Sequence, residues 1–266
     1  APGFTKLAEL RQAAVKVKAF AAKHRKKVGD VVQIGIGGSA LGAIAIQTAL
    51  RPRWHNESAP PRLYCLDNVD PEETAELFDH LDPKETLFHI VTKSGETTET
   101  LAGFLIALDR VRKKLKSKWQ EHFVVTTDAE KGFLRAWVGR EKIVSFEVPP
   151  DVGGRFSVLT PVGLVPAAFA GVDPLALLDG ATVAQQDLNL ATKLALLPFL
   201  LDTRRKKRIH VMMPYARALK DLADWHRQIW AESLGKNRTL NGQPCVVGPT
   251  PVVALGATDQ HSQVQL

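Results

Sequence analysis

The chain has 266 residues, of which 45% are hydrophobic and 24% are charged. This composition allows one large folded domain or two of ordinary size, and it excludes a wholly disordered chain. The net charge of +7 raises the question of a nucleic-acid partner. Its two basic clusters, residues 110–118 and 204–208, lack interleaved aromatic residues and are typical of solvated surfaces, so we expect no nucleic-acid partner.

The hydropathy pattern and the cysteine count limit the compartment. The sequence contains no apolar run of about 18 residues, so we expect no membrane association. Its N-terminus lacks the compact apolar core of a signal peptide. The two cysteines, Cys65 and Cys245, are too few for a disulfide framework, and no Cys/His cluster has zinc-site spacing. These features predict a cytoplasmic protein without a metal site.

The first half of the chain predicts alternating helices and strands. An amphipathic helix comes first, with Leu7, Leu10 and Val17 at helical spacing. The predicted strands cover residues 30–34, 62–66, 86–91, 123–126 and 143–148. The predicted helices between them cover residues 40–50, 71–81 and 99–116. Strands that alternate with helices indicate parallel βαβ units in a doubly wound sheet.

A break in this pattern follows the fifth predicted strand, where proline and glycine pairs mark a loop. Apolar, helical sequence then runs to about residue 201. A second α/β pattern follows, with a strand at 208–213, a helix at 216–234 and a weaker strand at 245–247. We therefore predict an α/β protein with two doubly wound domains and mainly parallel sheets. The predicted parts are residues 1–150, a crossover at 151–195, and residues 196–266, incomplete at the C-terminus.

A glycine-rich loop, residues 35–42, directly follows the first predicted strand. In open α/β sheets ligands lie beyond the carboxyl ends of strands, where glycine and a helix N-terminus accept an anion. The loop also approximates a dinucleotide fingerprint, with Asp67 as the ribose-binding acid. Two features count against a dinucleotide: the hydroxyl of Ser39, and a spacing to Asp67 longer than the roughly 20 residues expected. The loop alone is compatible with a nicotinamide dinucleotide and with a sugar phosphate.

A hydroxyl-rich loop, residues 92–100, follows the third predicted strand and contains five Ser and Thr residues and one lysine. One hydroxyl is enough to cap the next helix. Five hydroxyls before a helix N-terminus are more typical of a phosphate site. Together the two loops resemble those of a sugar isomerase (SIS) domain, the fold of enzymes and regulators that bind phosphosugars.

A third motif, residues 151–157, opens the predicted crossover and contains two glycines before Arg155. Arginine keeps its charge and suits a developing oxyanion, although a domain-linking turn with a surface arginine is the alternative. The segments GIGGSALG, VTKSGETTET and DVGGRFSVLTPVG closely resemble, in order and spacing, those of the glucose-6-phosphate isomerase family. The resemblance runs from about residue 30 to the last residue.

This resemblance implies catalytic residues in the second half as well. The segment from residue 226 to 236 resembles the family's catalytic-glutamate segment, and residues 257–262 resemble its ring-opening histidine motif. It implies Glu232 as the base that moves a proton between C2 and C1, Arg155 as the group that stabilises the enediolate, and His261 as the group that helps open the sugar ring. The implied substrate-binding and phosphate-binding residues are Gly38, Ser39, Thr92, Lys93, Ser94, Thr97 and Gln228.

The implied reaction is the reversible isomerisation of glucose 6-phosphate and fructose 6-phosphate in glycolysis and gluconeogenesis, without metal or cofactor. The family forms homodimers in which the histidine comes from the neighbouring subunit, so we expect a homodimer. The family also has a later segment, of the type Q-x-G-V-E-x-x-K, whose lysine assists ring opening and which nothing here matches. We expect residues to be missing beyond Leu266, and we predict weak or no activity for a protein that ends there.

Two other functions remain open on the sequence. A non-catalytic phosphosugar-binding regulator with tandem SIS domains keeps both phosphate loops but needs neither Glu232 nor Arg155. A nicotinamide-dependent dehydrogenase is favoured only by the glycine loop and Asp67. Replacement of Glu232 by Gln separates an isomerase from a regulator, and a titration with NAD tests the dehydrogenase.

Overall fold

The computed structural model of the protein describes residues 2–58 and 60–265. It divides into two compact units, Ala1–Asp179 and Gly180–Leu266. The boundary lies within the segment 151–195 that the sequence assigns to a crossover, and the predicted three-part division stays a prediction.

The first unit is built on a five-stranded sheet in the order β2-β1-β3-β4-β5, and every pairing in it is parallel. Its strands are β1 (Asp30–Ile34), β2 (Arg62–Leu66), β3 (Thr86–Val91), β4 (Phe123–Thr127) and β5 (Val144–Glu147). The predicted strands and their parallel arrangement are confirmed, with ends that differ by one residue at most. The α/β class is therefore confirmed by the sheet itself.

Helices cover both faces of this sheet, as βαβ crossovers require. They are α1 (Leu7–His24), α2 (Leu41–Leu50), α3 (His55–Ser58), α4 (Pro71–His80), α5 (Thr98–Leu115), α6 (Phe133–Glu141), α7 (Pro161–Phe169) and α8 (Pro174–Gln186), which runs past the boundary of the unit. One face packs on α1 and α7 around Phe169, and the other packs on α4, α5 and α6 around Phe104 and Trp137. Helix α6 has no counterpart among the predicted elements.

The sheet has a topological switch point between β1 and β3, where the chain connections go to opposite faces. The chain leaves β1 into α2, which packs beside α7, and it leaves β3 into α5 on the opposite face. Because the two connections diverge, a crevice opens at the carboxyl ends of β1 and β3, where open α/β sheets bind ligands. This strand order differs from the 3-2-1-4-5-6 order usual for dinucleotide-binding folds, which weakens the dehydrogenase alternative.

Beyond the end of α8, the described residues of the second unit form two pairs of strands and two further α-helices. They are α9 (Leu188–Arg205), β6 (Ile209–Met212), α10 (Lys220–Leu234), β7 (Lys236–Arg238), β8 (Pro244–Val247) and β9 (Thr250–Val253). Strands β6 and β9 pair in parallel, whereas β7 and β8 pair antiparallel. The helix predicted at 216–234 begins later, because a 3-10 turn at Arg217–Leu219 precedes α10.

Aromatic side chains join α10 to the parallel pair of strands. The His210 ring stacks on the Trp230 ring with centroids 4.0 Å apart, and Trp230 Nε1 donates to the Pro249 carbonyl at 3.0 Å. Burial lowers the pKa of both His210 and His226. These contacts position the helix that carries Gln228 and Glu232.

Among the helices that the structure describes, none is both long and apolar enough to cross a membrane. The described side chains likewise include no group of three or more His, Cys, Asp or Glu residues placed to hold a metal ion. Cys65 and Cys245 are both free thiols.

Candidate active site

Three hydroxyl groups form a closed triangle at the carboxyl end of β3. Thr92 Oγ1 lies 2.7 Å from Thr97 Oγ1 and 3.3 Å from Ser94 Oγ, and the third side of the triangle measures 3.4 Å. Thr97 is the N-cap residue of α5, yet its hydroxyl makes no cap bond within the described chain and pairs with Thr92 instead. The predicted phosphate-binding residues Thr92, Ser94 and Thr97 are therefore brought together at the positive end of a helix dipole.

Two glycines allow the tight turn that holds this triangle. Gly95 has a φ of 72° and Gly132 has a φ of 92°, both in the left-handed region that favours glycine. A Cβ on Gly132 would collide with the carbonyl oxygen of Ser94. The loop that follows β4 therefore packs directly against the backbone of the hydroxyl loop and supports it.

The glycine loop after β1 forms a 3-10 turn, Gly37–Ser39, just before α2 begins. Gln33, buried in β1, donates from Nε2 to the Ser39 carbonyl at 2.6 Å and to the Val162 carbonyl at 3.3 Å. A buried amide needs hydrogen-bond partners, so these two bonds fix the turn relative to the strand. Ser39 is half-buried.

The arginine loop, residues 151–157, crosses the carboxyl edge of the sheet from β5 towards β1. Lys93, just beyond β3, donates from Nζ to the carbonyls of Pro150 and Val152 at 2.8 and 2.9 Å. Further along, Gly38 lies so close to Gly154 that a Cβ on Gly38 would sit 2.5 Å from the Gly154 carbonyl oxygen. The structure thus brings the three predicted loops together at one edge of the first unit.

Ser157 completes the junction between the arginine and glycine loops. Its buried hydroxyl lies 2.7 Å from the Gly154 carbonyl oxygen and 3.2 Å from the Gly38 carbonyl oxygen, and it is within donating distance of both. Since Gly38 has no side chain, the two backbones approach closely enough for one hydroxyl to reach both loops.

Contacts from the N-terminal segment hold the arginine loop on its other side. The Arg155 guanidinium carbon lies 4.7 Å from the ring centroid of Phe156, a cation–π distance, and the Phe156 ring stacks on Phe4 with centroids 4.5 Å apart. Lys6 Nζ lies 2.7 Å from the Asp151 carboxylate. The hydrogen bond and charge of Lys6 lower the pKa of Asp151 from its ordinary value. Both ends of the arginine loop are therefore anchored.

The implied base lies on α10 in the second unit. Gln228 Nε2 donates to Glu232 Oε1 at 2.7 Å, so these two predicted residues are brought together on one face of the helix. Glu232 is exposed. The partial shielding expected of a catalytic base is therefore not supplied by the described residues of this unit, because α10 turns its buried face towards the strands.

The implied ring-opening histidine, His261, ends a 3-10 turn at Thr258–His261 and is exposed. The turn is anchored by Gln260, which donates from Nε2 to the hydroxyl of Tyr215 at 2.5 Å. It is also anchored by Asp259, whose carboxylate accepts the Leu255 backbone amide at 2.6 Å. These bonds hold the backbone on both sides of the turn and leave the imidazole at the surface.

Sequence reasoning missed several residues that position the loops. Gln33 had a detectable signal, because a polar residue inside an apolar strand needs a partner. Ser157 lies within the arginine motif, but its role depends on the loop that returns to Gly38. Phe4 carried no signal, since its partner Phe156 is far away in the sequence.

The parallel sheet in the order 2-1-3-4-5, with hydroxyl, glycine and arginine loops at its switch point, defines an α/β protein of the sugar isomerase type. The match to a family model sharpens this class. The phosphoglucose isomerase model matches residues 5–266, and the chain belongs to that family.

Individual relatives agree with this membership. A glucose-6-phosphate isomerase from Carboxydothermus hydrogenoformans is 45% identical over 262 residues, which are 94% of this chain and 56% of that relative. The chain thus spans little more than half the length of this relative.

Solved structures extend the likeness to the fold. A hypothetical protein from Thermus thermophilus has a TM-score of 0.89 and 43% identity, over 99% of this chain and 62% of that one. A glucose-6-phosphate isomerase from Chlamydia trachomatis has a TM-score of 0.83 and 27% identity, over 96% of this chain and 50% of that one. The family and fold inferred from the three motifs are therefore confirmed.

Proposed function

We propose that this chain supplies the substrate-binding loops and catalytic groups of a glucose-6-phosphate isomerase. The reaction is the reversible interconversion of glucose 6-phosphate and fructose 6-phosphate through a cis-enediolate, as used in glycolysis and gluconeogenesis. One observation carries the proposal: the Thr92, Ser94 and Thr97 hydroxyls converge at the α5 N-terminus, beside the loop that presents Arg155. A dianionic phosphate is favoured by several neutral donors and a helix N-terminus.

The proposal assigns each group of residues its own part in substrate binding. The hydroxyl triangle binds the phosphate, and the glycine turn, with Gly38 and Ser39, binds the sugar end as well. Gln228 contributes from α10 by orienting the substrate near Glu232, to which it is bonded. Binding of the non-reacting phosphate supplies energy that orients the reacting carbons.

Three residues would then have separate roles in the reaction. His261 assists opening of the pyranose ring, since an imidazole exchanges protons near neutral pH. Glu232 removes the proton from C2 and returns it to C1 on the same face of the enediolate, while a proton passes from O2 to O1. Arg155 stabilises the negative oxygen of that intermediate with a charge that arginine does not lose. The roles of Glu232 and His261 rest on the resemblance of their segments to the family.

We include two further parts in the proposal, a homodimer and a cytoplasmic location. The dimer is implied by the family, in which the ring-opening histidine comes from the neighbouring subunit. The cytoplasmic location is supported by two free thiols, which suit a reducing compartment. Sedimentation velocity tests the dimer, and a monomer at micromolar concentration would contradict it.

A coupled assay tests the reaction itself. Fructose 6-phosphate is supplied, and the glucose 6-phosphate formed is oxidised by its dehydrogenase with production of NADPH. We expect turnover in the presence of EDTA, because proton transfer between C1 and C2 requires neither metal nor redox cofactor. Loss of turnover in EDTA would overturn the metal-free mechanism. Absence of turnover in the wild-type protein, with or without EDTA, contradicts the proposed function.

A further inference from the structure

The side chain of Lys93 is directed at the arginine loop. Its Nζ donates to the Pro150 carbonyl at 2.8 Å and to the Val152 carbonyl at 2.9 Å, and the residue is half-buried. An ammonium group has three donors, so two of the three are used by the carbonyls of Pro150, just before the arginine loop, and of Val152, within it. A lysine that binds a phosphate would direct these N–H donors at the phosphate instead of at backbone carbonyls.

The two Lys93 bonds support the arginine loop part of the way along its path over the sheet. The arginine loop starts beyond β5, at one edge of the sheet, and reaches Gly38 beyond β1. Lys93, beyond β3, supports the loop between these two points. Its bonds fall at Pro150 and Val152, ahead of the glycine pair that precedes Arg155.

The other anchors of the loop lie elsewhere and do not replace Lys93. Lys6 pairs with the Asp151 side chain, at side chains that are about 40% exposed, where ion pairs contribute little. Ser157 bonds to Gly38, beyond Arg155. Loss of the Lys93 ammonium would leave two carbonyls without their charged donor and free the loop to shift relative to the hydroxyl triangle.

We propose that Lys93 is a positioning residue for Arg155, which acts by holding the arginine loop through the Pro150 and Val152 carbonyls and not by binding the substrate phosphate with its ammonium group. This inference rests on the proposed isomerase function. A shift of about 1 Å in a group that stabilises an intermediate can lower the rate about 100-fold, while substrate binding at a separate group is preserved.

Replacement of Lys93 by Met removes the ammonium and keeps an apolar stem. We expect Lys93→Met to lower kcat about 10- to 100-fold and to change KM less than about threefold. Lys113→Met is the matched control, since it removes one exposed positive charge from α5 and should change neither constant. A KM increase with unchanged kcat, or no effect on either constant, overturns the proposal.

Lys93→Gln separates a hydrogen-bonding role from a charge role. Glutamine is neutral but donates N–H groups, so it can restore one carbonyl bond directly or through water. We expect its kcat to lie between those of the wild type and Lys93→Met. If Lys93→Gln raises KM more than about threefold at a wild-type kcat, the ammonium acts on the phosphate and the proposal is overturned. Combined with Arg155→Lys, Lys93→Met should cost much less than it does alone, because the two act in series.

A measurement without activity keeps the two proposals distinguishable. The Val152 amide bonds to the Pro149 carbonyl at 3.0 Å and the Phe156 amide to the Gly153 carbonyl at 2.9 Å, so both report on the loop. We expect hydrogen exchange at these amides to accelerate in Lys93→Met and to stay unchanged in Lys113→Met. Unchanged exchange in Lys93→Met overturns the anchoring role. A wild-type protein without turnover but with this exchange pattern contradicts the isomerase function alone.

Discussion

The side-chain amide of Gln228 donates a hydrogen bond of 2.7 Å to Oε1 of Glu232, one helical turn further along α10. Gln228 is partly buried, and its Oε1 has no hydrogen-bond partner among the described residues, whereas Glu232 is exposed. The amide therefore restricts the rotamers of the Glu232 carboxylate. A base must be held in one orientation to meet the proton that it removes.

Replacement of Glu232 by Gln should remove turnover and keep substrate binding. Glutamine has the same shape but cannot accept the C2 proton, so we expect kcat to fall about 100- to 10,000-fold. The measurement is the coupled assay together with calorimetric binding of fructose 6-phosphate.

The matched control is Glu76→Gln, on the exposed surface of α4, which should leave both measurements unchanged. If the wild type binds fructose 6-phosphate without converting it, and Glu232→Gln binds equally well, the protein is a phosphosugar-binding regulator.

Thr92→Val should weaken binding of the sugar phosphate. Valine preserves the shape but removes a buried hydroxyl that bonds to Thr97 and Ser94. The triangle then loses the hydroxyl that makes its shortest contact, 2.7 Å to Thr97. We expect KM to rise about 3- to 10-fold, the worth of one lost hydrogen bond. The control is Thr98→Val, an exposed hydroxyl in the first turn of α5, for which KM should stay within about twofold. Equal KM values in both variants would argue against the triangle as the phosphate site.

Gly38→Ala should displace the arginine loop. A Cβ at this position would lie 2.5 Å from the Gly154 carbonyl oxygen and 2.7 Å from the Arg155 nitrogen, so one backbone must move. We expect a loss of about 1–3 kcal/mol in the free energy of unfolding and a lower kcat, measured by urea denaturation and the coupled assay.

Gly139→Ala provides the comparison, because a Cβ there meets nothing within 4 Å and the residue lies inside α6. This variant should gain up to about 1 kcal/mol of stability from helix propensity. If the two alanine variants have the same stability and activity, the close approach of Gly38 to the arginine loop is unimportant.

His89 should make the protein less stable in mild acid. It is fully buried in β3, where desolvation lowers its pKa to about 3, and its Nε2 bonds to Thr126. The unfolded chain binds a proton near pH 6.5 and the folded chain does not, so stability is full above that pH and is lost as the pH falls towards 3.

Between pH 7 and pH 5 this histidine should cost about 2 kcal/mol of the free energy of unfolding. Urea denaturation at both pH values measures the loss, which His89→Gln should reduce. His80→Gln, at an exposed histidine, should keep the wild-type dependence. An unchanged pH dependence in His89→Gln would contradict this assignment.

Local patterns were sufficient for most of the first unit. Five runs of β-forming residues predicted the five strands, and the loops that follow β1 and β3 were recognisable by their glycine and hydroxyl content. The second unit was less predictable, because β7 is short and exposed and β9 is short and only half-buried, so neither has a strong hydrophobic signal of its own. Their pairing depends on neighbours that only the folded chain brings close.

By itself, the sequence determined the α/β class, the order of the elements and the residue types of the three loops, because periodicity and turn chemistry act over a few neighbouring residues. Only the tertiary structure decided where the Lys93 ammonium points. Residues 93 and 150 meet because the sheet order sets β3 between β1 and β5, so the arginine loop must pass over Lys93 on its way to Gly38. A contact between residues so far apart in sequence is set by strand order, and no local pattern encodes it.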